Sequence, residues 1–74
     1  MDLKVEVHQE GTGYWAHVVE LPGCFASGRS LDELHEAVGD AIGLYVWDRP
    51  VQLNAAAPLG AGSVYVTVEA PEGP

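Results

Sequence analysis

Two stretches near the start of the chain have the residue pattern of β-strands, and the first alternates strictly between apolar and polar positions. Residues 3–8 read LKVEVH, with apolar side chains at the odd positions and polar ones at the even positions. Residues 14–20 read YWAHVVE and have a strand-like composition, with Tyr14, Ala16 and Val18 on one side and Trp15, His17 and Val19 on the other. The glycine-rich residues 10–13 separate the two stretches. A period of two is typical of a half-buried strand, and a short glycine-containing connection joins antiparallel neighbours. The pattern therefore predicts an antiparallel hairpin.

A turn is predicted at Leu21-Pro22-Gly23, directly after the hairpin. Proline cannot donate a hydrogen bond to a sheet ladder, and glycine tolerates positive φ, so this tripeptide ends a strand and reverses the chain. Residues 24–27 are then long enough for a short third strand.

One helix follows, and its start carries a clear local signal. Ser30 and Glu33 form an S-x-x-E capping box. Beyond it, apolar residues recur every three or four positions, at Leu34, Ala37, Val38, Ala41, Ile42 and Tyr45. This spacing predicts a single apolar stripe, with Gly39 and Gly43 lying away from it. The helix is expected to stop near Trp47, because Pro50 restricts the residue before it.

The rest of the chain completes the predicted fold. Residues 49–62 lack periodicity and are interpreted as a connecting loop, residues 63–70 alternate again as a last strand, and residues 71–74 form a tail. The order is β-β-β-α-β within a single domain spanning residues 1–74. We predict an α+β fold, an antiparallel hairpin-based sheet with one helix packed on one face and the last strand beside the first.

A single helix covers only one face of such a sheet. The other face is expected to carry Trp15, Val19, Phe25 and Tyr65, and an exposed aromatic face usually marks an association surface. A chain of 74 residues buries only about 60% of its unfolded surface, so its core is marginal. The single cysteine permits no intrachain disulfide. We therefore expect a homodimer or a higher homo-oligomer.

The charge balance bears on the choice of partner. Eleven acidic and three basic residues give a formal net charge of −8. Such a chain is repelled by phosphate backbones, so we expect no direct nucleic-acid binding by this chain alone. A basic protein would be attracted to it, although acidity that merely keeps the protein in solution explains the composition equally well. The unpaired cysteine, the lack of a signal peptide and the lack of a long apolar run predict a cytoplasmic protein with no membrane span.

Candidate catalytic residues are few. Cys24 would need a nearby base and an electropositive setting to act as a nucleophile, and none of His8, His17 and His35 stands in a recognisable spacing to it. We interpret Cys24 as a small packed residue and the three histidines as surface residues. The sequence therefore predicts no catalytic, metal-binding or cofactor-binding residue, and we expect that the protein is not an enzyme.

A family resemblance rests on the motifs that have been described. The chain reads Tyr14-Trp15-Ala16, then ELPGC ending at Cys24, then Gly28 and a capped helix that begins SLDEL. In this order it resembles the HicB antitoxin family. The resemblance implies a partial ribonuclease-H-like fold without the catalytic acids of ribonuclease H. It also implies self-association and binding to a small basic HicA-like toxin that cleaves mRNA. Many HicB proteins add a C-terminal DNA-binding domain, which this sequence does not show.

The first functional hypothesis is accordingly an antitoxin of a type II toxin-antitoxin pair. We expect surface residues of the helix and of the strand edges to contact the toxin: Trp15, Glu33, Glu36, Asp40 and Trp47. One alternative is a stand-alone oligomeric protein-binding module with no toxin partner. Another is a degenerate nuclease or thiol enzyme that uses Cys24 and His35.

Overall fold

A computed structural model describes residues 1–49, 51–55, 60 and 62–69 of the chain. The elements are β1 Asp2–Glu10, β2 Gly13–Val18, β3 Phe25–Gly28, α1 Leu31–Trp47, β4 Asn54–Ala55 and β5 Gly62–Thr67. The predicted α+β class is confirmed. The interpretation of residues 49–62 as a loop is wrong in part, because it contains β4 and the first residue of β5. The predicted tail, residues 71–74, lies outside the described residues.

All strand pairs of the sheet are antiparallel, in the spatial order β3-β2-β1-β5-β4. The prediction that the last long strand lies beside the first is confirmed by the pairing of β5 with β1. The β1–β2 hairpin closes through a two-residue turn in which Gly11 has a φ of 62°. This register places Glu6 opposite His17 and His8 opposite Trp15.

The core lies between α1 and one face of the sheet. Its buried members are apolar residues that alternate along the strands or recur along the helix: Leu3, Val5, Val7, Ala16, Val18, Cys24, Leu34, Val38, Ile42, Leu53, Val66 and Val68. The strand residues in this group are the ones whose period of two predicted an inward face. The predicted packing of a single helix on one side of the sheet is therefore confirmed.

The segment between β2 and β3 is a tight turn. The N–H of Cys24 donates to the carbonyl oxygen of Leu21 at 3.0 Å, and Gly23 has a φ of 84°. Proline at the second turn position and a positive φ at the third are the features of a type II turn. The turn prediction for Leu21-Pro22-Gly23 is confirmed, and the third strand begins one residue later than predicted, at Phe25.

The predicted placement of two helix glycines is wrong. Gly39 and Gly43 are buried, whereas the apolar spacing placed them away from the stripe. A Cβ added to Gly39 would lie 2.4 Å from the carbonyl oxygen of Val51, so the chain after the helix packs against this backbone. Tyr45 was expected within the stripe, but it is exposed, and its hydroxyl donates to the carbonyl oxygen of Pro22 at 2.8 Å.

Candidate functional site

The outer face of α1 carries an uncompensated row of acidic side chains. Asp32, Glu36 and Asp40 are exposed and stand four residues apart, which aligns them along one side of the helix. No lysine or arginine occurs within the helix, Leu31–Trp47. The structure therefore places two of the predicted partner-binding residues, Glu36 and Asp40, on one continuous negative surface.

A shallow groove runs beside this acidic row. It is lined by His35, Glu36 and Asp40 from the helix and by residues 51–53 from the segment that follows. The close approach at Gly39 brings this segment against the helix and forms the far wall of the groove. The groove thus combines two carboxylates and an imidazole with the apolar side chains of Val51 and Leu53.

Glu33 serves first as part of the helix start. The hydroxyl of Ser30 accepts the Glu33 N–H at 3.2 Å, and the Glu33 carboxylate accepts the Arg29 N–H at 2.8 Å. The predicted capping box is therefore present, with the return bond made to Arg29 rather than to Ser30. Glu33 and Trp15 line the same open depression beside the end of the β1–β2 hairpin, so the fold brings these two predicted residues together.

Trp47 stands apart from the other predicted residues. It lies at the last position of α1, is half-buried and packs against the core. Much of its ring therefore supports the fold, and only the remainder is open to a partner. The five predicted partner-binding residues consequently belong to three separate places on the molecule.

The face of the sheet opposite α1 carries an exposed group of rings. Phe25 is 62% exposed and Tyr65 is 65% exposed. The rings of His8 and Trp15 stack with their centroids 4.2 Å apart, and the His17 ring lies 5.5 Å from that of His8. We call this sheet surface the uncovered face. It includes the outward side chains of Lys4, Glu6, His8, Trp15, His17, Phe25 and Tyr65.

Three potential metal ligands meet on the uncovered face. Glu6, His8 and His17 each present a ligand atom, and these atoms all lie within 4.8 Å of one another. No metal ligand was predicted from the sequence, because two histidines that neighbour across a hairpin are too few for a metal site and no pattern marked Glu6 as a third ligand. The available signal was the hairpin register, because a two-residue turn at residues 11–12 necessarily places position 17 opposite position 6.

Cys24 lies on the other side of the sheet. Its side chain is buried in the core, and burial raises the pKa of the thiol above its ordinary value of 9.0. A raised pKa keeps the thiol protonated, whereas a nucleophilic cysteine must be a thiolate. The interpretation of Cys24 as a packed residue is confirmed by its position.

Comparison with known proteins gives one relative. Over 47 residues the chain is 40% identical to a UPF0150 protein of Archaeoglobus fulgidus, and the match covers 62% of this chain and 68% of that protein. No family model matches the chain, and no solved structure matches it. Within the described residues, no helix has both the length and the apolar character needed to cross a membrane.

Proposed function

The chain belongs to the UPF0150 family, and we propose that it is a non-enzymatic antitoxin that binds and neutralises a small basic HicA-like toxin. The family name states no activity, so the proposal rests on the residues. Two features support it: the motifs by which the sequence resembles HicB antitoxins and the charge of the outer helix face.

The acidic row on α1 is the observation that carries the proposal. Like charges four residues apart destabilise a helix by about 0.2–0.5 kcal/mol per pair. Asp32, Glu36 and Asp40 make two such pairs, and the helix contains no lysine or arginine to offset them. A basic partner seated on this face would remove the repulsion and gain the attraction of all three carboxylates.

A ribonuclease toxin supplies the matching surface. A protein that binds mRNA must present lysine and arginine side chains to the phosphates of the RNA. The acidic row occupies such a surface with carboxylates and thereby competes with RNA for it. Neutralisation of this kind needs no bond to be made or broken by the antitoxin. It requires only that the outer face of α1, which carries the acidic row, remain exposed as it is in the isolated chain.

The proposal requires a small basic reading frame next to this gene and is tested by co-expressing its product with this chain. We expect the two proteins to co-purify and the RNA cleavage by the basic protein to be lost in the complex. Glu36→Gln combined with Asp40→Asn should slow association on the order of tenfold at low salt, because electrostatic attraction acts mainly on the association rate. The difference should shrink as salt is added, since exposed charges are screened.

Glu36→Gln is also measured alone, where we expect a smaller slowing, and Glu69→Gln is its matched control because each removes one charge. Glu69 is also an exposed acid, but it follows β5 and lies outside the helix. Its replacement removes the same charge and should leave the association rate close to that of the wild type. Equal rates for all variants would show that the acidic row is not the contact, and RNA cleavage that persists in the complex would refute the antitoxin function.

A stand-alone oligomeric binding module is the second candidate, and the uncovered face favours it. Phe25 and Tyr65 are each more than three-fifths exposed on one side of the sheet, and such a surface favours association with an apolar partner. The two candidates differ in what binds to α1. If the purified chain assembles with itself and the adjacent basic protein does not bind, the second candidate is the better one.

A further inference from the structure

We propose that Glu6, His8 and His17 form a binding site for one divalent transition-metal ion on the uncovered face of the sheet. The site is independent of the proposed antitoxin function, because it lies on the sheet face opposite α1. Imidazole and carboxylate together suit zinc, copper and nickel, whereas magnesium and calcium prefer oxygen ligands alone. Two histidines and one glutamate also make a known zinc-binding set that leaves one position open.

The strand register explains why these three side chains converge. Glu6 and His8 are two residues apart on β1, so they point to the same side of the sheet. His17 on β2 is the direct partner of Glu6 and the diagonal neighbour of His8. The ligand set is therefore held by the hydrogen-bonded backbone of one hairpin and does not depend on a loop.

The distances suit a metal after small side-chain rotations. The three ligand atoms lie within 4.8 Å of one another, and bonds of about 2.1 Å in a tetrahedral shell place ligand atoms roughly 3.4 Å apart. Oε2 of Glu6 is already 3.7 Å from Nε2 of His17. Closing the remaining gap requires shifts of roughly 1 Å, which rotation of half-exposed side chains supplies.

Unsatisfied nitrogens on both imidazoles are a second observation. Nε2 of His8 and Nδ1 of His17 are buried, and neither has a hydrogen-bond partner among the described residues. An unpaired buried polar atom is costly and rare in folded proteins. A metal ion bound at the cluster would give a partner to each of these nitrogens that serves as its ligand atom.

Aromatic rings flank the two histidines, and one competing charge lies beside Glu6. The His8 ring stacks on Trp15, and the His17 ring contacts Phe25 at a centroid distance of 6.2 Å. Lys4 Nζ lies 3.9 Å from Oε1 of Glu6. This pair is partly exposed and therefore weak, and it engages the oxygen that does not face His17. Oε2 of Glu6 remains available to the metal.

Calorimetric titration of the full, untagged chain with ZnCl₂ at pH 7.5 tests the site. We expect one saturable zinc site per chain and a loss of affinity of at least about tenfold in His8→Gln and in His17→Gln, because each removes one of three ligands. His35→Gln is the matched control, since it removes the third histidine of the chain from the helix groove and leaves the cluster intact. MgCl₂ should not compete.

Far-UV circular dichroism separates ligand loss from misfolding, and Glu6→Gln provides a further variant with almost unchanged volume. CuCl₂ should quench the fluorescence of Trp15, which stacks on His8, in the Trp47→Phe variant. It should quench Trp47 far less in the Trp15→Phe variant. The absence of saturable zinc binding, equal affinity in all the histidine variants, or equal displacement by MgCl₂ would overturn the proposal.

Discussion

The Cys24 side chain is 4% exposed and lies in the core directly after the turn at Pro22-Gly23. Its position follows from the turn, because the Cys24 N–H and carbonyl oxygen bond to Leu21 and to Val18 respectively. The backbone is thereby fixed on both sides of the thiol, which packs among apolar neighbours. Cysteine is often a catalytic residue, but here the Cys24 side chain contributes to the buried apolar core.

The raised pKa of the Cys24 thiol makes the free energy of unfolding depend on pH in the alkaline range. The folded protein holds the thiol proton more tightly than the unfolded chain does. This stabilisation is therefore complete below the ordinary pKa of 9.0, and it is lost as the pH rises through the pKa that the thiol has in the folded protein. We expect the free energy of unfolding to fall above about pH 9. Urea titrations at several pH values measure this dependence.

Cys24→Ala supplies the comparison for that measurement. The variant lacks the thiol, so the decrease in its free energy of unfolding above about pH 9 should be smaller. At neutral pH the variant should be less stable than the wild type, because the substitution leaves a small cavity. An identical pH dependence in the variant and the wild type would mean that the thiol does not cause the loss.

The helix shows that the spacing of apolar residues does not by itself identify which residues of a helix are buried. Gly39 lies between the buried Val38 and the exposed Asp40, and it is buried because the backbone of Val51 packs against the helix at that point. The Val51 N–H donates to the Gly39 carbonyl oxygen at 3.4 Å, so the segment after α1 is attached to the helix backbone. Gly39, which by helix propensity destabilises the helix, is the residue at which the segment after α1 packs against the helix backbone.

Gly39→Ala should therefore destabilise the protein, although alanine is the better helix former. The new Cβ would lie 2.4 Å from the Val51 oxygen. Overpacking of this kind costs typically 1–3 kcal/mol, against about 1 kcal/mol gained in helix propensity. Thermal melts should show a lower midpoint. Asp40→Ala, one residue later on the exposed side, should not lower it, and a rise in the midpoint for Gly39→Ala would contradict the close contact.

The whole molecule has one covered and one uncovered sheet face, because its single helix packs on only one side. Phe25 and Tyr65 stand on the uncovered face together with the stacked rings of His8 and Trp15. Burying such a face in a second copy would gain about 25 cal/mol per Å² of apolar surface removed from water. Association through this face would supply stability that so small a core lacks.

Phe25→Ser combined with Tyr65→Ser should consequently reduce self-association. We expect the wild-type chain to form at least a dimer, and the double variant to shift toward the monomer, in light-scattering measurements over a range of concentrations. Leu44→Ser is the control, because Leu44 is 53% exposed on the helix and lies off this face. A monomeric wild type, or an equal shift in the control, would refute this interface.

Local pattern predicted most of the fold. The period of two in β1 and β5, the strand-like composition of β2, the Pro22-Gly23 turn and the Ser30 cap are all properties of short stretches. The structure confirms each of these predictions. The two-residue strand β4 could not be predicted, because it is too short to show a period and exists only through its pairing with β5.

By itself, the sequence determined every element except β4, the inward side of the strands that it predicted, and the acidic composition, since these depend on neighbours along the chain. Only the tertiary structure decided which residues from different elements meet. It buried Gly39 under Val51, separated the predicted partner-binding residues, and brought Glu6 and His8 beside His17. The physical reason is that these contacts arise from strand register and from helix packing, which join positions that are distant in sequence.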